Sequence, residues 1–132
     1  MSNTPDHALI VVAKKAMENA HAPYSKYHVG AAIRAENGKV YAGCNVENAA
    51  YPEGTCAEAG AIAAMVADGA KQIKDIVIIA VGDNKAAPCG GCRQKINEFA
   101  EPDLIISVVN TAGDTTRFSL GEILPHSFKL DV

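Results

Sequence analysis

The chain has 132 residues, a net charge of −3 and a pI of about 5.7, with 48% hydrophobic and 20% charged residues. That length predicts one domain over residues 1–132, able to bury roughly two thirds of its unfolded surface. Lys and Arg are scattered rather than gathered in a stripe for a nucleic-acid polymer, and no run of about 18 apolar residues offers a membrane span. The polar start Met1-Ser2-Asn3-Thr4-Pro5-Asp6 is unlike a signal peptide, so a cytoplasmic setting is expected. Thiols stay reduced there, and the four cysteines then point to metal binding or catalysis rather than disulfides.

In chain order, Thr4 is the expected N-cap of a first helix, with Pro5 at its first position. Leu9, Val12, Ala13, Ala16 and Ala20 recur at helical spacing, and the helix should stop before Pro23. The segment 22–25 is a loop. Residues 29–35 and 40–46 flank Asn37-Gly38, which predicts a hairpin with a two-residue type I′ turn. A second helix is expected from near Thr55 to Gly69. The apolar run 75–81 suits a strand covered on both faces, and 82–88 is a loop. A third helix opens at Cys89, with Ile96 and Phe99 facing inward. Residues 104–109 form another strand, 115–119 a short edge strand and 120–124 a brief helix before Pro125. The tail around Phe128 is apolar enough to dock. This order describes an α/β layered domain with a mixed sheet.

Two short stretches carry the chemistry: Cys56-Ala57-Glu58 and Pro88-Cys89-Gly90-Gly91-Cys92. Catalytic zinc takes three protein ligands and keeps a position open for water. Cys56, Cys89 and Cys92 can supply the ligands, leaving the Glu58 carboxylate free to move protons. Zinc deaminases use this arrangement, with His or Cys before x-Glu and then Pro-Cys-x-x-Cys. Other readings compete. Thr55-x-x-Glu58 also fits a capping box. Cys89 and Cys92 fit a redox pair or a structural zinc site, which would need a fourth ligand such as Cys44 or a histidine. Cys44 itself reads as a small buried hydrophobe, and His7, His21, His28 and His126 sit in no ligand spacing.

Cys56 and Cys89 fall at expected helix N-termini, which favour thiolate. Three thiolates on Zn²⁺ still leave a net −1. The helix ends, and Arg93 as a helper, are the visible offsets. Asn45 and Glu47 alternate on an extended segment, so both can face one side. A solvated strand end and a grip on vicinal hydroxyls fit that pattern equally.

The segments 24–32, 43–51, 56–58 and 88–94, with Leu124-Pro125, resemble the small homotetrameric cytidine deaminases along nearly the whole chain. The resemblance implies a three-layer α/β/α fold with a five-stranded mixed sheet and helices on both faces. It implies hydrolytic deamination of cytidine and 2′-deoxycytidine in pyrimidine salvage, with Zn²⁺ as cofactor on Cys56, Cys89 and Cys92 and Glu58 as proton shuttle. Carried over by position, Asn45 and Glu47 bind the ribose and Tyr27 stacks on the base, where relatives usually have Phe. Ala57 and Cys89 offer backbone contacts. Tyr51 and Phe128 help form an active site shared between subunits of a homotetramer. Many relatives carry Arg directly after the catalytic glutamate, where this chain has Ala59, which shifts charge balance to Arg93, backbone amides or another residue. Rival readings keep the zinc but change the substrate to a modified cytosine nucleoside such as blasticidin S or to a base in a polynucleotide. A further rival makes the chain a non-catalytic zinc-stabilised binding module. The acidic charge and the Asn45/Glu47 pair disfavour a polynucleotide.

Overall fold

The computed structural model describes residues 4–83 and 86–132. Residues 1–3 of the polar start, and Asn84 and Lys85 within the expected 82–88 loop, lie outside the described residues. Among the described residues, five strands, β1 (Val29–Ala35), β2 (Val40–Cys44), β3 (Ile73–Ala80), β4 (Ile105–Asn110) and β5 (Thr115–Ser119), form one sheet in the order β2-β1-β3-β4-β5. Only β3 and β4 run parallel; the other neighbours are antiparallel. The helices are α1 (His7–Glu18), α2 (Ala57–Ala67), α3 (Gly90–Asn97) and α4 (Leu120–Ile123).

The apolar run of β3 explains the layering. Successive strand residues point to opposite faces. Accordingly Val77 and Ile79 pack with Leu9, Ala13 and Met17 of α1. Ile76 and Ile78 pack with Ala61, Met65 and Ile96 of α2 and α3 on the other side. The mixed sheet read from the sequence is present, and it has the five strands and the helices on both faces that the family resemblance implies.

Three local details differ from expectation. Asp6, not Thr4, caps α1: its Oδ1 accepts the Ala8 N–H at 2.9 Å while Oδ2 meets Arg34 at 3.0 Å. A carboxylate with two such partners, at the positive end of a helix, outcompetes a hydroxyl two residues earlier. The hairpin turn closes through Gly38 N–H to Ala35 O at 3.0 Å, and Gly38 (φ +80°) rather than Asn37 takes the left-handed conformation. A type I′ turn needs both residues there, so the loop has three residues with glycine at the bulge position. The third difference, the start of α2 one residue past Cys56, matters for the site.

Gly43 of β2 sets how closely α2 can approach. A Cβ there would sit 2.4 Å from both Ala57 O and Ala61 N. Only glycine lets the first turn of α2 lie flat on the strand. The tail docks by its backbone: Phe128 O accepts Gln94 Nε2 at 3.0 Å and Asn97 Nδ2 at 3.3 Å, both from α3.

Candidate active site

Cys56 is the N-cap of α2 and Cys89 the N-cap of α3, with Cys92 in the first turn of that helix. Neither N-cap makes a side-chain capping bond. The first N–H groups of both helices therefore remain to favour negative charge on sulfur. The three Sγ atoms all lie within 4.8 Å of one another, and Cys56 and Cys89 are 3.9 Å apart at sulfur. A tetrahedral zinc with Zn–S bonds of about 2.3 Å needs sulfurs about 3.8 Å apart. The donor set fits zinc in type and spacing. Among the described residues, Cys44 and the histidines add no fourth ligand to the group, so a closed structural site is not formed.

The electrostatics also call for a cation. Burial, then the negative charges around it, pushes the Cys56 thiol up. Burial and the charges of Glu58 and Cys56 do the same to Cys92. Burial also opposes the Cys89 thiolate, but the nearby Cys92 backbone N–H and both neighbouring thiols pull Cys89 down overall. Three crowded thiols resist ionising together without a divalent cation to hold them.

Glu58 is 4% exposed, and burial pushes its carboxyl up against the opposing pull of its own backbone N–H, the Cys92 thiol and the Lys95 charge. It is not part of a capping box. The N-cap is Cys56, while Thr55 exchanges two backbone bonds with Val46, at 2.9 and 3.0 Å. That bridge holds Thr55 extended, which moves the helix start forward and turns the glutamate inward to the cavity.

The cavity has a volume of about 340 Å³ and is lined by Glu58, Cys56, Ala57, Tyr27, Asn45 and Glu47, with Tyr51 also on its wall. Its other walls are apolar, from Val29, Ile78, Ala80 and Ala86, a balance usual for a small organic ligand. A second recess shares Glu47, Tyr51 and Gly54 with it, so the mouth is wide. Burial raises the Tyr27 phenol. Tyr51 is 76% exposed and meets Tyr24 edge to face, with centroids 5.9 Å apart.

Asn45 and Glu47 hold the loop that carries Tyr27. Asn45 Nδ2 donates to Tyr27 O at 2.7 Å, and its Oδ1 accepts Val29 N–H at 2.9 Å. Glu47 Oε1 accepts the Tyr24 and Ser25 N–H groups at 3.1 Å each, and Oε2 accepts the Ser25 hydroxyl. The Ser25 hydroxyl bond, followed by those N–H groups, holds the Glu47 carboxyl below its usual range despite some burial. Each side chain still has hydrogen-bonding capacity to spare. Sequence reasoning missed this double use. The signal lay in Tyr24-Ser25, a loop dipeptide offering three donors to a nearby carboxylate.

Phe128 does not line this cavity, and the residue is 67% exposed. Arg93 directs Nε to Pro88 O at 2.7 Å and one terminal nitrogen to Ile123 O at 3.0 Å. These bonds go to carbonyls rather than to the thiolates.

Three clustered sulfurs at helix ends, a buried free carboxylate and an apolar cavity beside them define a zinc hydrolase site. Comparison with known proteins narrows the class. The cytidine and deoxycytidylate deaminase zinc-binding region matches residues 3–108. The cytidine deaminase of Sporosarcina psychrophila is 42% identical over 120 residues, 91% of this chain and 88% of that one. The crystal structure of cytidine deaminase from Burkholderia pseudomallei has a TM-score of 0.87 and 42% identity, covering 97% of this chain and 100% of that one. The cytidine deaminase structure from Mycobacterium tuberculosis has a TM-score of 0.79 and 32% identity, over 93% and 96% of the two chains. The chain belongs to the cytidine and deoxycytidylate deaminase family of zinc enzymes. No helix among the described residues is long and apolar enough to cross a membrane.

Proposed function

We propose that the chain is a single deaminase domain over residues 1–132 that converts cytidine and 2′-deoxycytidine with water to the uridines and ammonia. The observation that carries this reading is the buried Glu58 carboxylate beside three sulfurs spaced for zinc, in a cavity with two polar side chains at its rim. Zinc on Cys56, Cys89 and Cys92 supplies Lewis acidity that turns water into a nucleophile near neutral pH. Glu58 would take one proton from the attacking water and deliver it to N3 of the base, then take that water's second proton from the hydroxyl now on C4 and pass it to the amino group, which departs as ammonia. Burial suits that role because it brings a carboxyl group toward balance between its two protonation states.

Tyr27 stacks on the base, while Ala57 and Cys89 offer backbone groups to it. Asn45 and Glu47 use their remaining capacity on the ribose hydroxyls, which supports a nucleoside over a free base. A carboxylate at that position also repels a phosphodiester. The wide mouth, the exposed Tyr51 ring and the exposed Phe128 ring support a homotetramer in which Phe128 completes a neighbour's site. The expected setting is cytoplasmic pyrimidine salvage.

The test is turnover of cytidine by purified, zinc-loaded protein, following uridine and ammonia together. Equal release of both supports the reading. A folded, zinc-loaded protein that is inactive on cytidine and deoxycytidine overturns the substrate assignment, and modified cytosine nucleosides such as blasticidin S then become the next substrates to assay.

A further inference from the structure

The loop carrying Cys89 reaches its helix through Pro88, which is buried. A buried carbonyl needs a donor, and Pro88 O receives one from Arg93 Nε at 2.7 Å, short enough to mark a charge-assisted bond. The same guanidinium places a terminal nitrogen 3.0 Å from Ile123 O. Ile123 is the last residue of α4, a four-residue helix whose C-terminal carbonyls lack partners within the helix. A cation there is favoured by the helix dipole as well.

Arg93 itself lies one residue past Cys92 on α3, and its backbone N–H bonds to Cys89 O at 3.0 Å. One residue thus touches the turn before Cys89, the helix that holds Cys92, and the end of α4. Beyond α4 the chain runs to Phe128, whose carbonyl is bonded by Gln94 and Asn97 of the same α3. Lysine cannot reproduce this arrangement, since a single ammonium lacks the planar fork that serves two carbonyls in fixed directions.

We propose that Arg93 is a positioning residue that fixes the Pro88–Cys89 turn and so holds the Cys89 sulfur at zinc-binding distance from Cys56. This rests on the zinc site described above but not on the identity of the substrate. It touches neither the metal nor the reacting atoms; it acts through the backbone of the ligand turn. A chain with Ala59 after the glutamate has no cation at that position to steady the thiolates, so more of the site's rigidity falls on this anchor.

The experiment is zinc release from the holoenzyme to a colorimetric chelator, read without substrate, for wild type, Arg93→Gln, Arg93→Lys and Asn97→Ala. Asn97→Ala serves as a control because it loosens the tail on the same helix without contact to Pro88. Loss of an outer-shell partner typically costs about 10–100-fold in metal affinity. Arg93→Gln is expected to release zinc about 10–100-fold faster than wild type, Arg93→Lys by a smaller factor, and Asn97→Ala at the wild-type rate. In turnover assays kcat should fall in Arg93→Gln while KM stays within about twofold. If Arg93→Gln does not accumulate as folded protein, faster release from Arg93→Lys than from Asn97→Ala supports the proposal in its place. Wild-type release rates in the Arg93 variants, or rates that simply follow melting temperature across all the variants including Asn97→Ala, overturn the proposal. Inactivity on cytidine would leave these rates readable, so the two readings fail separately.

Discussion

Asn45 donates its side-chain amide to the carbonyl of Tyr27 at 2.7 Å, so a residue facing the cavity also holds the loop bearing the ring beside it. Because Oδ1 simultaneously accepts Val29 N–H, the amide works as a two-point strap. Asn45→Asp keeps the acceptor for Val29 but sets a carboxylate against the Tyr27 carbonyl. The variant should lose about 1–3 kcal/mol of stability and raise KM for cytidine more than about tenfold. Thermal melting and steady-state kinetics read both effects. An unchanged melting temperature would remove the strap, leaving only a substrate role.

Gly43 and the first turn of α2 make a tighter test of how the fold places chemistry. A methyl group on Gly43 meets Ala57 O and Ala61 N at 2.4 Å, and both are backbone atoms that cannot rotate aside. Gly43→Ala should cost about 1–3 kcal/mol, as overpacking usually does, and displace Cys56 and Glu58 with the helix. Zinc content and kcat are expected to fall together. Full activity with wild-type zinc content would mean that the close approach does not position the site.

The zinc motif was legible in the sequence because its chemistry is local. Cys56-x-Glu58 and Pro88-Cys-x-x-Cys92 each fall at a helix start, and hydrophobic periodicity places those starts within a residue or two. The β3 run likewise announced a strand covered on both sides, because nothing else buries so many consecutive branched residues. Other features needed three dimensions. Whether Thr55 caps α2 depended on its bridge to Val46, nine residues away in sequence on a different segment. The bonds from Arg93 to Ile123 and from Ser25 to Glu47 span 30 and 22 positions, with no periodicity to signal them. The choice of Asp6 over Thr4 as N-cap turned on Arg34, a partner the local sequence does not contain.

That last pair gives a pH prediction. The hydrogen bond from Arg34, followed by the Ala8 N–H, holds the Asp6 carboxyl below its ordinary range. A folded value below the unfolded one stabilises the protein fully above the unfolded pKa of about 3.9. The stabilisation declines below that point and is gone once the pH has fallen through the folded value. Asp6→Asn keeps a capping oxygen and removes the titration. Its deficit should be under about 1 kcal/mol near neutrality, because the pair is about one third exposed and screened. The deficit should shrink toward zero in acid. Denaturant melts of both proteins across that range test it, and a deficit that stays constant into acid would contradict the assignment.

Sharing of sites between subunits can be tested by complementation. Phe128 is 67% exposed and its backbone, not its ring, is what the protomer holds. Phe128→Ala should therefore melt close to the wild type yet lose most of its kcat/KM. Mixed with Glu58→Gln under conditions that exchange subunits, the two inactive proteins should regain part of the wild-type rate. They regenerate sites that have an intact glutamate from one chain and an intact Phe from another. Additive, near-zero activity in the mixture would place every site within one protomer.

Proton transfer by Glu58 beside a zinc it does not bind is best tested by comparing wild type with Glu58→Gln. Cytidine turnover and bound zinc should be measured on the same preparations. Glutamine fills the same space and cannot accept the proton, so kcat should fall by at least about 100-fold while zinc stays near one per chain. Retained turnover at full zinc occupancy would contradict the proton-transfer role and return the site to a zinc-stabilised binding module.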